Sequence, residues 1–204
     1  MFRKSKSVLL PIVFYLIWPM SIGSSEDPPG RMLGGSVNSP IRIDVFSDFQ
    51  CSACREFYLS TIRKVLKEYS SQDKVCIVYH EFPLSYHPLA REAARYCEAA
   101  WRMGLQKLLP VMESIYVDQA IWAQDGKLED SVAKALSPED FLKLKEIMKD
   151  PSINEAIENE IRLAVKEKIS ATPTMIISYP GKQQKVEGLV TYLVMKQFID
   201  SIVK

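Results

Sequence analysis

The alternation of apolar and polar positions predicts two strands with a helix between them. Residues 41–47 place apolar side chains at alternate positions, as one face of a strand does. Residues 51–71 repeat apolar side chains at helical spacing, and residues 75–82 again have the β-branched and aromatic content of a strand. A strand, a helix and a strand within about 40 residues form a βαβ unit, so the two strands are expected to run parallel.

The pattern is purely helical in the middle of the chain and mixed again at its end. Residues 88–168 show no strand pattern, and two proline-containing helix starts, at residues 137–140 and 150–151, divide them. Residues 174–179 and 184–187 predict a hairpin, and residues 190–203 predict a closing amphipathic helix. The predicted order is β-α-β, helices, β-β-α, which is an α/β arrangement with an all-helical insertion.

The N-terminal segment changes the expected location of the protein. Three basic residues among the first six precede an apolar stretch at residues 8–22, and small residues follow it. This is the pattern of a secretory signal peptide over residues 1–25, and the stretch is short for a spanning helix, which needs about 20 residues. An uncleaved membrane anchor is the alternative. Residues 26–40 are rich in Ser, Pro and Gly and predict a flexible leader.

Composition and charge exclude several classes of protein. With 47% hydrophobic and 25% charged residues, the chain is not disordered or of low complexity. The formal charge is +1, and loss of the three basic residues of the signal would leave 23 basic and 25 acidic residues, a charge of −2. Nothing in this balance indicates nucleic-acid binding. Export would place the cysteines in an oxidising compartment, where pairs of them can form disulfides.

The pair Cys51 and Cys54 carries the strongest indication of chemistry. The run Cys51-Ser52-Ala53-Cys54 follows a predicted strand and begins a predicted helix. Free backbone N–H groups and the helix dipole at such a position favour a negative charge, so the pKa of Cys51 should fall below its usual value of about 8.5. Arg55 could add to this effect. Cys51 is therefore expected to be the exposed nucleophile, and Cys54, one turn further on, the resolving cysteine.

Two other interpretations of the pair are a static disulfide and half of a zinc site. A zinc site needs a second pair of ligands. The two histidines, His80 and His87, are not spaced as such a pair. A Cys-x-x-Cys motif in a βαβ context favours redox chemistry, with no metal and no organic cofactor required.

Several runs in order along the chain resemble one family. The run Phe46-Ser47-Asp48-Phe49-Gln50-Cys51-Ser52-Ala53-Cys54 resembles the active-site strand and loop of DsbA-like thioredoxin-fold oxidoreductases. The further matching runs are Phe82-Pro83-Leu84 followed by His87, Thr172-Pro173-Thr174, and Val186-Glu187-Gly188. Together they span residues 40–204.

The resemblance implies a thioredoxin fold with an inserted helical domain. Residues 41–87 would form its N-terminal half, residues 88–168 the insertion, and residues 169–204 its C-terminal half. Pro173 would follow a cis peptide bond and face the cysteine pair, with Thr172 against the sulfurs. This loop would offer its backbone to an extended substrate peptide.

Two features depart from the family pattern. The dipeptide Ser52-Ala53 lacks the histidine that the strongly oxidising members carry, so the redox potential does not follow from the resemblance. The family often has a buried acid six residues before the first cysteine, and this position is Val45. Asp44 and Asp48 are candidates for a proton relay, or they are simply solvated.

The other two cysteines have two interpretations. Cys76 lies in the second predicted strand and Cys97 on an apolar helix stripe. Small buried core residues, which are slightly favoured, and a structural disulfide both fit this placement. The aromatic residues Trp101, Tyr116 and Trp122 of the insertion are expected in the core.

The pattern and the resemblance predict an exported thiol–disulfide oxidoreductase in the periplasm or cell envelope. Its substrates would be cysteine pairs of other exported polypeptides. The resemblance implies a membrane redox partner, either a quinone-linked oxidase or an electron-donating reductase. The alternatives are a reductase or isomerase arm of the same fold, and a non-catalytic chaperone or binding module with a structural disulfide. A third is a glutathione-dependent transferase, but such enzymes typically do not rely on a second active-site cysteine such as Cys54.

Overall fold

The computed structural model describes residues 30–203, in which five strands form one mixed sheet in the order β1-β3-β2-β4-β5. The parallel pair β2 and β3 lies in register from Ile41 opposite Val75 to Ser47 opposite Glu81, as the βαβ pattern predicts. The pairs β1–β3, β2–β4 and β4–β5 are antiparallel. The strands are β1 Arg31–Gly34, β2 Ile41–Ser47, β3 Val75–Glu81, β4 Thr174–Tyr179 and β5 Lys182–Glu187.

The helices follow the predicted order, with one irregularity after the cysteine pair. The helix predicted over residues 51–71 consists of α1, one π-helical turn at Tyr58–Ile62, and α2, and a 3₁₀ turn follows at Ser70–Gln72. Helices α3 to α8 form the insertion, and α9 closes the chain. The α-helices are α1 Ser52–Phe57, α2 Arg63–Glu68, α3 Ala90–Arg102, α4 Leu105–Val117, α5 Gln119–Asp125, α6 Leu128–Lys134, α7 Pro138–Ile147, α8 Ser152–Lys166 and α9 Tyr192–Ile202.

The N-terminal predictions divide between described and undescribed residues. The signal peptide or anchor at residues 1–25 lies outside the described residues. The prediction of a flexible leader over residues 26–40 is wrong in part, because residues 31–34 form the edge strand β1. Arg31 is 2% exposed and donates to Glu98 at 2.6 Å, and Leu33 is 2% exposed. The sequence did not predict this strand for two reasons. Its partner Glu98 lies 67 positions away, and a strand of four residues is too short to show an alternation of apolar and polar side chains.

The two faces of the sheet carry separate hydrophobic clusters. The larger cluster contains Ile43, Ile77 and Tyr79 and packs against helices of the insertion. The smaller one contains Phe46 and Ile176 on the opposite face, together with residues of α8 and the segment after it. In the part of the chain that the structure describes, no helix has the length and apolar content needed to cross a membrane.

This division separates the two remaining cysteines. Cys97 belongs to the larger cluster, on the face of Ile77 and Tyr79. Cys76 points to the other face, since side chains alternate along β3, and Arg42 and Asp44 are the charged groups that act on it. Both thiols are free and buried. The sheet lies between them, so the structural disulfide is not formed in this fold.

Candidate active site

The cysteine pair lies where β2 ends and α1 begins. Cys51 is the N-cap of α1, with φ −74° and ψ 121°, and its carbonyl accepts a hydrogen bond from Arg55 N at 3.1 Å. Its own N–H donates to the carbonyl of Asp48 at 3.1 Å, which closes the turn between strand and helix. Cys51 is half-buried, whereas Cys54 is fully buried behind it. The first sulfur therefore lies at the surface and the second inside.

The two thiols have opposite proton affinities. A hydrogen bond from Cys54 lowers the pKa of Cys51 to about 5, with the contact to Thr172 and the backbone N–H groups of Cys54 and Ala53 acting in the same direction against burial. Burial raises the pKa of Cys54 well above its ordinary value. Cys51 is thus a thiolate at neutral pH and Cys54 a thiol. A half-buried thiolate beside a buried thiol is the arrangement that thiol–disulfide exchange needs.

The loop before β4 closes the site from the other side. The Thr172–Pro173 peptide bond is cis. Cys51 Sγ lies 3.5 Å from the carbonyl oxygen of Thr172, and the carbonyl of Pro173 accepts a hydrogen bond from Gly188 N at 2.8 Å. Thr172 Oγ1 is buried and has no hydrogen-bond partner among residues 30–203. The structure thus brings together Cys51 and Thr172, which are far apart in the sequence.

Asp48 joins three segments of the chain and is not solvated. It is 1% exposed, and its carboxylate accepts hydrogen bonds from Gln50 N at 2.7 Å, Leu84 N at 2.7 Å and His87 Nδ1 at 2.8 Å. Its contact with the cysteine pair is made by its backbone N–H, which lies 3.5 Å from Cys54 Sγ. The carboxylate therefore shapes the active-site loop, and none of its hydrogen bonds comes from a cysteine.

Replacing Asp48 by asparagine is expected to destabilise the protein by about 2–4 kcal/mol, since one buried N–H donor would then face an amide donor. Chemical denaturation of the two proteins measures this. The matched control is Asp130→Asn, at an exposed acid of α6. Equal losses in the two variants would show that the Asp48 hydrogen bonds contribute nothing.

Asp44 lies away from the cysteine pair, on the face of the smaller cluster. Its carboxylate accepts hydrogen bonds from Arg42 at 2.6 and 2.8 Å and pairs with His80 Nε2 at 2.9 Å. The other ring nitrogen of His80 lies 2.7 Å from Glu160 of α8. Burial acts to raise the pKa of Asp44, but these partners lower it below its ordinary value. Asp44 therefore makes no contact that would relay a proton to Cys51 or Cys54.

Between the two cysteines, Ser52 is exposed and Ala53 is half-buried. Neither side chain brings a charge or a hydrogen-bonding ring to the sulfurs. Arg55 was expected to help lower the pKa of Cys51. In the structure its Nε instead donates to the carbonyl of Tyr116 at 2.9 Å. The low pKa of Cys51 comes from Cys54, the side chain of Thr172 and the backbone, without a basic side chain.

Gln119, in α5 of the insertion, is a site residue that sequence reasoning missed. Its Nε2 donates to the carbonyls of Phe49 at 2.6 Å and Cys51 at 3.0 Å, and the residue is 5% exposed. The insertion thus holds the loop that carries the nucleophile. The sequence shows only a glutamine in a helical segment, and neither its burial nor the carbonyls that its amide meets follow from that.

Replacing Gln119 by alanine is expected to lower stability by about 1–3 kcal/mol, because two carbonyls lose a buried donor. It should also loosen the Cys51 loop and raise the pKa of that thiol, since the backbone donors lose their fixed direction. The pH dependence of thiolate ultraviolet absorbance measures the second effect. Replacing the exposed Gln124 of the same helix is the matched control. An unchanged Cys51 pKa in Gln119→Ala would contradict the positioning role.

The described residues contain no group of three or more His, Cys, Asp and Glu side chains placed to hold a metal ion. The half zinc site considered from the sequence therefore has no further ligands near Cys51 and Cys54 in this part of the chain.

Comparison with known proteins agrees with this geometry. The family described as Thioredoxin matches residues 27–201. A Bacillus cereus protein named probable disulfide bond formation protein D is 23% identical over 148 residues, which cover 71% of this chain and 68% of that protein. Among solved structures, alpha-DsbA1 of Wolbachia pipientis superposes with a TM-score of 0.70 at 18% identity, covering 86% of this chain and 92% of the other. Oxidised BdbD from Bacillus subtilis superposes with a TM-score of 0.68 at 22% identity, covering 83% and 90%.

These matches confirm the thioredoxin fold with its inserted helical domain. The family match extends over both halves of the fold and the insertion between them. The chain therefore belongs to the thioredoxin family, and its resemblance to the DsbA-like thiol–disulfide oxidoreductases of that family is confirmed.

Proposed function

We propose that this protein is an exported thiol–disulfide oxidoreductase that exchanges disulfides with cysteine pairs of other exported proteins through Cys51 and Cys54. The observation that supports this most directly is the pairing of a half-buried Cys51, with a pKa of about 5, and a buried Cys54 with a raised pKa. A structural disulfide needs no such difference between its two sulfurs. The name of the Bacillus cereus relative, a disulfide bond formation protein, supports the same activity.

The exchange proceeds through a mixed disulfide. A substrate thiolate attacks Cys51 of the oxidised enzyme and forms a substrate–Cys51 disulfide, while Cys54 leaves. The second thiol of the substrate then displaces Cys51, so the substrate pair is oxidised and the enzyme pair is reduced. In the reverse direction, the Cys51 thiolate attacks a substrate disulfide and Cys54 resolves the intermediate.

Thr172 and Pro173 are the proposed substrate-binding residues. The loop lies beside the Cys51 sulfur, and a backbone segment at the edge of the site can pair with an extended peptide. The apolar segment at residues 8–22 supports export, with residence in the periplasm or cell envelope. Turnover then requires a membrane redox partner that resets the pair, either a quinone-linked oxidase or an electron-donating reductase.

Titration of the Cys51–Cys54 pair against glutathione redox buffers tests the proposal and separates its variants. A potential near about −120 mV would indicate a dithiol oxidase, and one near about −270 mV a reductase arm. A pair that does not exchange with glutathione would contradict the proposal and favour a non-catalytic binding module with a structural disulfide.

A further inference from the structure

Three buried hydroxyl groups form a hydrogen-bonded chain that begins at the end of β2, close to the active-site loop. Ser47 Oγ lies 3.0 Å from the Tyr116 hydroxyl, which lies 2.6 Å from the Tyr79 hydroxyl. Ser47 ends β2 and Tyr79 lies in the neighbouring β3, whereas Tyr116 comes from α4 of the insertion. Ser47 and Tyr79 are 2% exposed and Tyr116 is fully buried. The insertion thus completes an arrangement that two strands of the sheet begin.

The Ser47 end of this chain lies next to Cys54, because the N–H of Asp48, the residue after Ser47, contacts that sulfur. Burial raises the pKa of the Cys54 thiol, and the Ser47 side chain acts in the opposite direction. The N–H of Asp48 lies 3.5 Å from the same sulfur. The charge of Cys54 also acts on the Tyr116 hydroxyl. A sulfur without access to water therefore has a hydroxyl and a backbone N–H at hand to donate to it.

Disulfide exchange places a negative charge on this buried sulfur. When a substrate thiolate attacks Cys51, the substrate–Cys51 bond forms, the Cys51–Cys54 bond breaks, and the electron pair stays on Cys54 Sγ. The second substrate thiol then displaces Cys51 and its proton passes to Cys54, so that Cys51 ends as a thiolate and Cys54 as a thiol. A buried charge without donors is costly, and this cost would fall on the transition state.

We propose that Ser47, Tyr116 and Tyr79 are positioning residues that stabilise the Cys54 thiolate as it leaves or attacks in the exchange reaction. When Cys54 carries the charge, each hydroxyl donates toward it: Tyr79 to Tyr116, Tyr116 to Ser47, and Ser47 to the sulfur. Hydrogen bonds that all run in one direction strengthen one another, and a bond to a charged acceptor is stronger than one between neutral groups. This role rests on the proposed exchange activity and assigns it three residues outside the Cys-x-x-Cys motif.

The test measures the rate at which dithiothreitol reduces the oxidised full chain, as a function of pH, for Ser47→Ala, Tyr116→Phe and Tyr79→Phe. Loss of a hydrogen bond to a charged group is expected to slow Ser47→Ala by about 10-fold or more. Tyr116→Phe should be slowed by about 3-fold to 10-fold, and Tyr79→Phe by less, because its hydroxyl is farthest from the sulfur. The pKa of Cys51 should stay near its wild-type value in all three, since Cys54 and the backbone still donate to it.

Tyr58→Phe is the matched control. Its ring stacks on Tyr116 with centroids 4.7 Å apart and is buried, but its hydroxyl is not part of the chain. Wild-type rates in folded Tyr116→Phe and Tyr79→Phe would overturn the proposal, even if Ser47→Ala failed to fold. A wild-type protein that dithiothreitol does not reduce would instead contradict the proposed function.

Discussion

Replacing Cys51 by serine is expected to abolish disulfide exchange, whereas replacing Cys54 by alanine is expected to leave a protein that remains joined to its substrate in a mixed disulfide. Cys51 is the half-buried sulfur, and its pKa of about 5 keeps it a thiolate at neutral pH. A serine hydroxyl at that position has neither the acidity nor the nucleophilicity for exchange. Cys54 is buried, and its loss removes the thiol that resolves the mixed disulfide. It also removes the hydrogen bond that does most to lower the Cys51 pKa, so the first attack is slower but still forms the mixed disulfide. The expected result is no turnover in an insulin-reduction assay for either variant, with a trapped mixed disulfide in Cys54→Ala alone.

Cys76→Ala is the matched control for these two variants. Cys76 is 2% exposed and lies on the opposite face of the sheet from Cys97. Burial raises its pKa, so its thiol is a poor nucleophile, and the sheet separates it from Cys97. It should keep wild-type turnover. Turnover retained in Cys51→Ser would show that Cys51 is not the nucleophile. A mixed disulfide on Cys76 would show that Cys76 reacts with the substrate instead.

The strands and the cysteine motif could be predicted from the sequence because their signals are local. Alternation within residues 41–47 and the start of a helix at Cys51 depend on neighbours a few positions away. The predicted parallel pairing of β2 with β3 follows from the length of the connection and is present in the structure. The irregular turn at Tyr58–Ile62 has no such local signal.

The supports of the site could not be predicted, because each joins segments distant in the sequence. Gln119 donates a hydrogen bond to the carbonyl of Cys51, 68 residues away in the sequence, and the Ser47 hydroxyl bonds that of Tyr116, 69 residues away. Tyr116 was expected to be an ordinary core aromatic, and its burial agrees with that expectation. Its hydroxyl contacts depend on how α4 packs against the sheet, which periodicity does not determine.

The two aspartates show the same limit at short range. Asp44 and Asp48 are four positions apart, and the sequence offers both as proton-relay candidates. In the structure Asp44 pairs with Arg42 and His80, whereas the Asp48 carboxylate holds the loop through Gln50, Leu84 and His87. Asp44 lies within β2 and Asp48 in the loop after it, and their partners His80, Leu84 and His87 come from other segments of the chain.

Acidification is expected to remove the advantage in stability that the Cys51 thiolate gives to the reduced protein. The folded state lowers the pKa of this thiol from its ordinary value to about 5, so the folded protein holds a thiolate over a pH range in which the unfolded chain holds a thiol. A lowered pKa stabilises the fold fully above the unfolded value. This contribution therefore declines as the pH falls from 9 toward 5 and is absent below the folded pKa. The oxidised protein has no Cys51 thiol and lacks the effect.

The unfolding temperatures of the reduced and oxidised proteins, measured from neutral to acid pH, test this expectation. The difference between reduced and oxidised protein should shift in favour of the oxidised form on acidification, and the midpoint of iodoacetamide alkylation of Cys51 should fall near pH 5. The buried thiols of Cys76 and Cys97 are present in both forms, so their contributions cancel. Reduced Cys51→Ser should lose less stability on acidification than the reduced wild type. A difference between the two redox forms that stays constant with pH would show that the fold does not stabilise the Cys51 thiolate, and the exchange chemistry would then need another source of nucleophilicity.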